Sequence, residues 1–151
     1  MMKFKLPRRS LIALSLCASS MSLVWAQPDF AQQAAKEPGA RVTASGLVFK
    51  SLQDGQGASP VASDKVKVHY RGTLPDGKEF DSSFKRNQPI DFPLNAVIPC
   101  WTEGVQLMKV GGKAKLTCPP AIAYGSRGAG GVIPPNATLQ FEVELIAIAG
   151  K

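Results

Sequence analysis

The chain carries one histidine, His69, three cysteines, Cys17, Cys100 and Cys118, and 11 Asp and Glu against 18 Lys and Arg. Acid–base, nucleophilic or metal chemistry would have to be assembled from these side chains, and their spacing assembles none of it. His69 lies in Lys65-Val66-Lys67-Val68-His69-Tyr70-Arg71. Alternation there sends Val66, Val68 and Tyr70 to one face and His69, with the cations, to the opposite, wet face. No Gly-x-Ser-x-Gly and no His pair occurs, and the glycine-rich stretch 125–131 lacks the Gly-Lys-Ser/Thr ending of a phosphate loop. Gly111-Gly112-Lys113 reads as a helix stop. Asn136-Ala137-Thr138 fits a glycosylation sequon and fits equally a turn before the last strand. Cys100, Cys118 and one His do not complete a zinc site. What remains is chemistry done by a shaped apolar surface with a few polar groups, without metal, cofactor or covalent intermediate.

The stretch Val97 to Met108 can supply such a surface. It has Pro99 at its entrance, where the fixed φ suits a first helical turn and the missing N–H is no loss. Trp101, Val105 and Met108 fall at i, i+4 and i+7 and share one face. Around this helix the chain alternates as β-strand: Val42 to Leu52, Lys65 to Arg71, Glu79 to Ser83, Ile90 to Phe92, Lys113 to Cys118, and Leu139 to Ala147, with turns at Asp54-Gly55-Gln56-Gly57 and Pro75-Asp76-Gly77. In the last strand Leu139, Phe141, Val143, Leu145 and Ala147 face in and Gln140, Glu142 and Glu144 face out. One short helix must therefore cover the apolar face of a sheet. The expected class is α+β, a twisted antiparallel sheet wrapped around one short α-helix.

The first residues have another character. Lys3, Lys5, Arg8 and Arg9 precede an apolar run from Leu11 to Val24, and Val24-Trp25-Ala26 offers small residues at −3 and −1 of a cut after Ala26. This is the pattern of a secretory signal peptide over 1–26, which places the mature chain in the periplasm or outside the cell. The run is short for a bilayer span, so no stable membrane insertion is expected after cleavage. Cys17 allows lipidation and Arg8-Arg9 a twin-arginine signal, both less well supported by their neighbours. Four of the 18 cations leave with residues 1–26 and no acidic residue does, so the charge falls from +7 to 14 − 11 = +3. With the remaining cations scattered, a nucleic-acid partner is not indicated. Residues 27–42 are polar and low in hydrophobicity, a flexible lead to a single domain over 43–151.

The two downstream cysteines can be placed by length. Cys100 starts the helix, which runs about 13 Å to Lys109 at about 1.5 Å per residue. The strand back from Gly112 to Cys118 covers about 20 Å at about 3.3 Å per residue. Out-and-return paths of this kind bring Cys118, with inward parity, towards Cys100. In an oxidising compartment a Cys100–Cys118 disulfide is expected.

Five motifs then stand in order: Val68-His69-Tyr70-Arg71-Gly72, Phe80-Asp81-Ser82-Ser83, Val97-Ile98-Pro99-Cys100-Trp101-Thr102-Glu103-Gly104, Ala123-Tyr124-Gly125 and Ile133-Pro134-Pro135-Asn136-Ala137-Thr138-Leu139. Over about residues 43–149 the chain resembles the FKBP-type peptidyl-prolyl cis-trans isomerases, in particular the bacterial secreted branch. The resemblance implies a sheet around one helix and an apolar pocket for a proline ring. Trp101 would be its floor, and Tyr70, Phe80, Ile90, Val97, Ile98, Tyr124, Val132, Ile133 and Phe141 its walls. The Ile98 N–H and the Tyr124 hydroxyl would each hold a substrate carbonyl, and Asp81 would sit near the twisting one. Asp81 directly follows Phe80, so a bulge or strand end must turn it inward. Ile90 stands where many members have an aromatic, Cys100 where many have Gly, and Leu94-Asn95-Ala96 is shorter than in the well-known eukaryotic members. Ala129 and Gly130 replace larger residues of some members. The implied substrates are proline-containing polypeptides, with macrolide inhibitors of the family as further ligands. A monomer is expected. The alternative reading is a non-catalytic periplasmic chaperone or binding module for unfolded Pro-containing segments, and a weaker one a ligand-free envelope protein.

Overall fold

The computed structural model describes residues 29–151, so the signal-peptide reading of 1–26, with Cys17, lies outside the described residues. Seven strands, β1 (Ala40–Val42), β2 (Val48–Gln53), β3 (Lys65–Thr73), β4 (Glu79–Ser82), β5 (Ile90–Pro93), β6 (Lys113–Cys118) and β7 (Leu139–Ile148), form one antiparallel sheet. The order is β1-β2-β6-β7-β3-β4, and β5 also pairs with β3. β3 is the hinge of this arrangement. One edge pairs with β7 from Val66↔Ile148 to Thr73↔Gln140, while the other edge takes β5 along Lys65–Val68 and β4 along Arg71–Thr73.

Among the described residues there are two α-helices, α1 (Phe30–Ala35) and α2 (Pro99–Gln106). α2 begins at the expected proline but ends at Gln106, short of the expected Met108 and well before Gly111-Gly112; Trp101 and Val105 of the helix and Met108 just beyond it are all buried. Fully burying a side chain such as Val105 contributes about 1.5–3 kcal/mol relative to exposure. Gly104 sets how closely the helix lies on the sheet, since a Cβ there would come within 2.8 Å of the Leu116 side chain. The hydroxyl of Thr102 donates to the Leu94 carbonyl at 2.7 Å and ties the turn at Leu94–Ala96 to the helix.

Cys100 and Cys118 are joined, with Cα atoms 5.8 Å apart and both residues fully buried. The bond connects the first turn of α2 to the end of β6.

The flexible lead expected over 27–42 is corrected for residues 29–42. Asp29 caps α1 by accepting from the Ala31 N–H, and Ala31 and Ala34 are buried. β1 pairs in register with β2, Arg41 opposite Phe49. Glu37 accepts from Lys50 at 3.0 Å and from Lys115, anchoring the segment to β2 and β6. Low hydrophobicity hid this, because the segment adheres through two alanines and an ion-pair clamp rather than an apolar stripe. The single strand expected from Val42 to Leu52 is accordingly a hairpin, with β1 ending at Val42 and β2 starting at Val48.

Candidate active site

Trp101 lies in the first turn of α2 and is 3% exposed. Three rings meet it edge to face: Tyr70 from β3 with centroids 5.2 Å apart, Phe141 from β7 at 5.4 Å, and Phe92 from β5 at 5.5 Å. Phe80 from β4 packs on Phe141 at 5.6 Å. Aromatic pairs of this geometry contribute about 0.5–1.5 kcal/mol each beyond area burial, so the cage is rigid. Gly72 makes the Phe80–Phe141 contact possible, because a Cβ there would lie 2.5 Å from one ring and 2.9 Å from the other.

These rings bound a cavity of about 480 Å³, lined by Tyr70, Phe80, Asp81, Phe92, Ala96, Val97, Ile98, Trp101, Tyr124 and Phe141. Phe80 and Asp81, adjacent in sequence, both line it. The β3–β4 ladder pairs Gly72 with Asp81 but Thr73 with Glu79, so Phe80 is the extra residue of a bulge. A bulge breaks the strict alternation that would have sent Asp81 away from the cavity.

Asp81 is held by three donors. The Tyr70 hydroxyl donates to Oδ2 at 2.5 Å, and Arg86 Nη1 and the Ser82 N–H donate to Oδ1 at 2.7 and 2.9 Å. Arg86 Nη2 also donates to the Tyr70 hydroxyl at 3.3 Å. Burial pushes the Asp81 carboxyl up, but the hydrogen bonds from Arg86 and Tyr70 outweigh it and hold it below the ordinary value of 3.8. Asp81 is therefore a carboxylate at neutral pH. The Tyr70 phenol is pushed above its ordinary value, first by burial and then by the bond to Asp81, so it stays a donor.

Ile98 is the N-cap residue of α2, and its carbonyl accepts from the Trp101 and Thr102 N–H groups. Its own N–H precedes the helical ladder, and among the described residues no loop, turn or cap carbonyl takes it. Tyr124 is 41% exposed, and its hydroxyl has no hydrogen-bond partner among the described residues. The wall thus offers two donors with spare capacity over an apolar floor.

His69 lies behind the site. Its ring stacks on Phe84 at 4.8 Å and its Nδ1 lies 2.9 Å from the Ser83 hydroxyl oxygen. Fully buried Ser83 accepts from the Tyr70 N–H at 2.7 Å, and its own N–H donates to the Tyr70 carbonyl at 2.9 Å. This pins the backbone of the residue whose hydroxyl holds Asp81.

The geometry is that of a family, and sequence comparison identifies it: residues 56–146 match the family described as FKBP-type peptidyl-prolyl cis-trans isomerase. The chain belongs to the FKBP family. An FKBP-type isomerase named FkpA from Aeromonas hydrophila is 58% identical over 114 residues, covering 76% of this chain and 42% of the relative. An FKBP-type 22 kDa isomerase of Escherichia coli (strain K12) is 51% identical over 119 residues, covering 79% and 58%. The crystal structure of FkpA from Escherichia coli superposes with a TM-score of 0.76 at 50% identity, covering 79% of this chain and 55% of that one. The chain spans about half the length of the curated relatives it matches.

Three of the expected FKBP pocket residues do not line the cavity. Ile90 shares a face of β5 with Phe92, but the Phe92 ring, nearer to α2, contacts Trp101 and Tyr70 and forms that wall. Ile133 points into the core at 6% exposure, held by paired backbone bonds with Ala129. Val132, beside Gly131 at φ 71°, faces solvent at 56% exposure. Tyr70, Phe80, Asp81, Val97, Ile98, Trp101, Tyr124 and Phe141 are brought together. Sequence reading missed Phe92, Ala96 and Arg86. Phe92 was within reach, since it has the parity of Ile90, whereas nothing in the polar run Lys85-Arg86-Asn87 marks which cation turns back onto Asp81.

Proposed function

We propose that the chain is a peptidyl-prolyl cis-trans isomerase that accelerates rotation about X–Pro bonds in exported polypeptides. The observation that supports this most directly is the apolar cavity floored by Trp101, with an ionised Asp81 and the free Ile98 N–H on its walls. Rotation about an amide has a barrier of about 18–20 kcal/mol from resonance, and an X–Pro bond turns over in about tens to hundreds of seconds. Resonance places partial charge on the carbonyl oxygen and nitrogen, and water stabilises that planar form. An apolar cage of Trp101, Phe141, Phe92 and Tyr70 removes this solvation, which disfavours the planar state relative to the twisted one. Ile98 N–H and the Tyr124 hydroxyl orient the substrate through its carbonyls, while the Tyr70–Asp81–Arg86 cluster presents fixed dipoles beside the rotating one. Each tenfold of rate needs about 1.4 kcal/mol. Macrolide inhibitors of the family would compete for the same cavity.

Export follows from the first 26 residues: cleavage after Ala26 leaves a chain starting at Gln27 in the periplasm or outside the cell, where intact-mass measurement decides the point. A start at an acylated Cys17 would overturn it. The activity is tested by proline-limited refolding of a substrate protein with the mature chain and with Trp101→Ala and Asp81→Ala. Loss of acceleration in folded variants supports the reading. Full refolding acceleration in both variants would refute this site, and suppression of aggregation without any rate effect by the wild-type chain would make it a holding chaperone.

A further inference from the structure

At the opposite end of α2 from the proline cavity lies a second one, about 240 Å³, between β2, β6 and the turn that follows the helix. α2 has eight residues, so the two cavities are separated by about 12 Å of helix, and they share no lining residue. Its exposed apolar lining is Leu107, set beside the edges of the otherwise buried Phe49, Met108 and Ala114. Its rim is cationic. Arg41, Lys109 and Lys113 line it, against the single carboxylate of Asp54, whose Oδ1 accepts from the Ser51 hydroxyl at 2.7 Å.

The cations are available. Among the described residues neither Arg41 nor Lys109 has a carboxylate within ion-pair distance, and Lys113 reaches Glu144 only at 3.8 Å. Arg41 is held in place rather than solvated at random: β1 sets it in register with Phe49, and its guanidinium lies 5.3 Å from that ring centre. A stacked guanidinium keeps its outward N–H groups for a second partner. The walls are also fixed. Gly55 and Gly112 let the loop after β2 lie directly on the turn after α2, since a Cβ on Gly55 would come within 2.3 Å of the Lys109 carbonyl oxygen. Residue 41 stands outside the stretch 56–146 that matches the family, so the charge that closes the site comes from the N-terminal segment.

We infer that this cavity binds a compact apolar group carrying a carboxylate, the apolar part on Leu107 and the carboxylate between Arg41 and Lys109. At about 30 Å³ per water-sized unit, the volume holds about eight non-hydrogen atoms. That size suits a short branched acid or the last residue of a polypeptide ending in leucine or valine. The site is independent of isomerase turnover.

The test is an amide NMR titration of the full chain with 3-methylbutanoate and with its neutral isostere 3-methylbutanamide. Saturable shifts at Phe49, Lys109 and Ala114, at least tenfold weaker affinity for the amide, and at least fivefold loss with Arg41→Gln are expected, with refolding acceleration unchanged in the variant. Lys109→Gln, in the turn after α2 and outside the β1–β2 hairpin, should lose a similar factor and guards against a local effect of Arg41 on the hairpin. A peptide ending in free leucine is the second probe: binding tighter than the free acid assigns a polypeptide terminus as the source, weaker binding a free acid. Equal response to acid and amide, or shifts that never saturate and follow every lysine, would overturn the proposal.

Discussion

Reducing the Cys100–Cys118 bond should destabilise the domain without dismantling the cavity. The bond closes a loop with a sequence separation of 18. In the chain-entropy description this lowers unfolded-state entropy enough to contribute about 3 kcal/mol at 25 °C. For a domain of this size each kcal/mol moves the melting temperature by about 4 °C, so reduction should lower it by about 12 °C. Reduction is a cleaner perturbation than substitution, because every heavy atom stays and no void opens around two fully buried sulfurs. Guanidinium titrations of the untreated and reduced mature chain, followed by Trp101 fluorescence, give the difference directly. Refolding acceleration, measured well below the reduced midpoint, should fall by no more than about twofold, since the rings that grip Trp101 come from β3, β5 and β7 and do not depend on the bond. Thiol titration of the denatured, unreduced chain accompanies the measurement. Two free thiols would remove its premise, and a stability difference below about 1 kcal/mol with the bond verified would refute the entropic reasoning.

Phe141→Ala should lose most activity and about 3–5 kcal/mol of stability, since the ring is buried against Trp101 and Phe80, whereas Asp81→Ala should lose most activity and remain folded, as circular dichroism and refolding assays would show. His69→Ala should keep activity within about twofold, because the ring touches Phe84 and Ser83 and not the cavity; an inactive, folded variant would sink the site as described. The kcat/KM profile should be flat from about pH 5 to 8, because the lowered pKa keeps Asp81 ionised throughout, and it should fall only in more acidic buffer. Glu37→Gln should cost about 0.5–1 kcal/mol at pH 7. The Glu37 pKa is lowered, first by the hydrogen bond from Lys115 and then by that from Lys50, so its contribution is complete above the unfolded value of 4.5 and is lost as pH falls through the folded one. Urea titrations of both proteins at pH 7 and pH 3 should therefore converge at the lower pH.

The fold was legible because its core depends on parity. The inward series Val66, Val68, Tyr70 and Leu139, Phe141, Val143, Leu145 is written in strict alternation, and all seven are buried, whereas Ala147, the next in that alternation, is only half-buried and Ile148 takes the core instead, because the β3–β7 register shifts between Lys67 and Val68. The start of the helix was legible for the same reason, a proline at its entrance and Trp101 and Val105 on one face, but its end was not: it stops at Gln106, and Met108 and Gly111-Gly112 lie beyond it. The N-terminal segment was not. Besides the three-residue strand β1, its contacts with the sheet are Ala31, Ala34 and the carboxylate of Glu37, none of which forms an apolar periodicity. Binary patterning detects large apolar faces, and here the adhesion is a short strand pairing, two small side chains and an ion-pair clamp.

The site shows where parity stops being enough. Alternation tells which face a side chain takes, not how deep it reaches or which neighbour fills the space first. Ile90 and Phe92 have equal parity, yet the larger ring takes the wall beside Trp101. The resemblance assigns Ile133 and Val132 to the cavity, whereas paired bonds to Ala129 turn one into the core and leave the other on the surface. Asp81 is the sharpest case, because parity sends it outward and the bulge at Phe80 brings it in. Once inward, its charge needs partners, and burial alone would push it towards the neutral acid. Tyr70 is supplied by the neighbouring strand, but Arg86 comes from the polar excursion five residues later, which carries no periodic signal. The bulge and the arginine are therefore linked. A carboxylate turned into an aromatic cage stays ionised because a loop cation returns to hold it, so Arg86→Ala should raise the Asp81 pKa and move the acid limb of the pH profile upward.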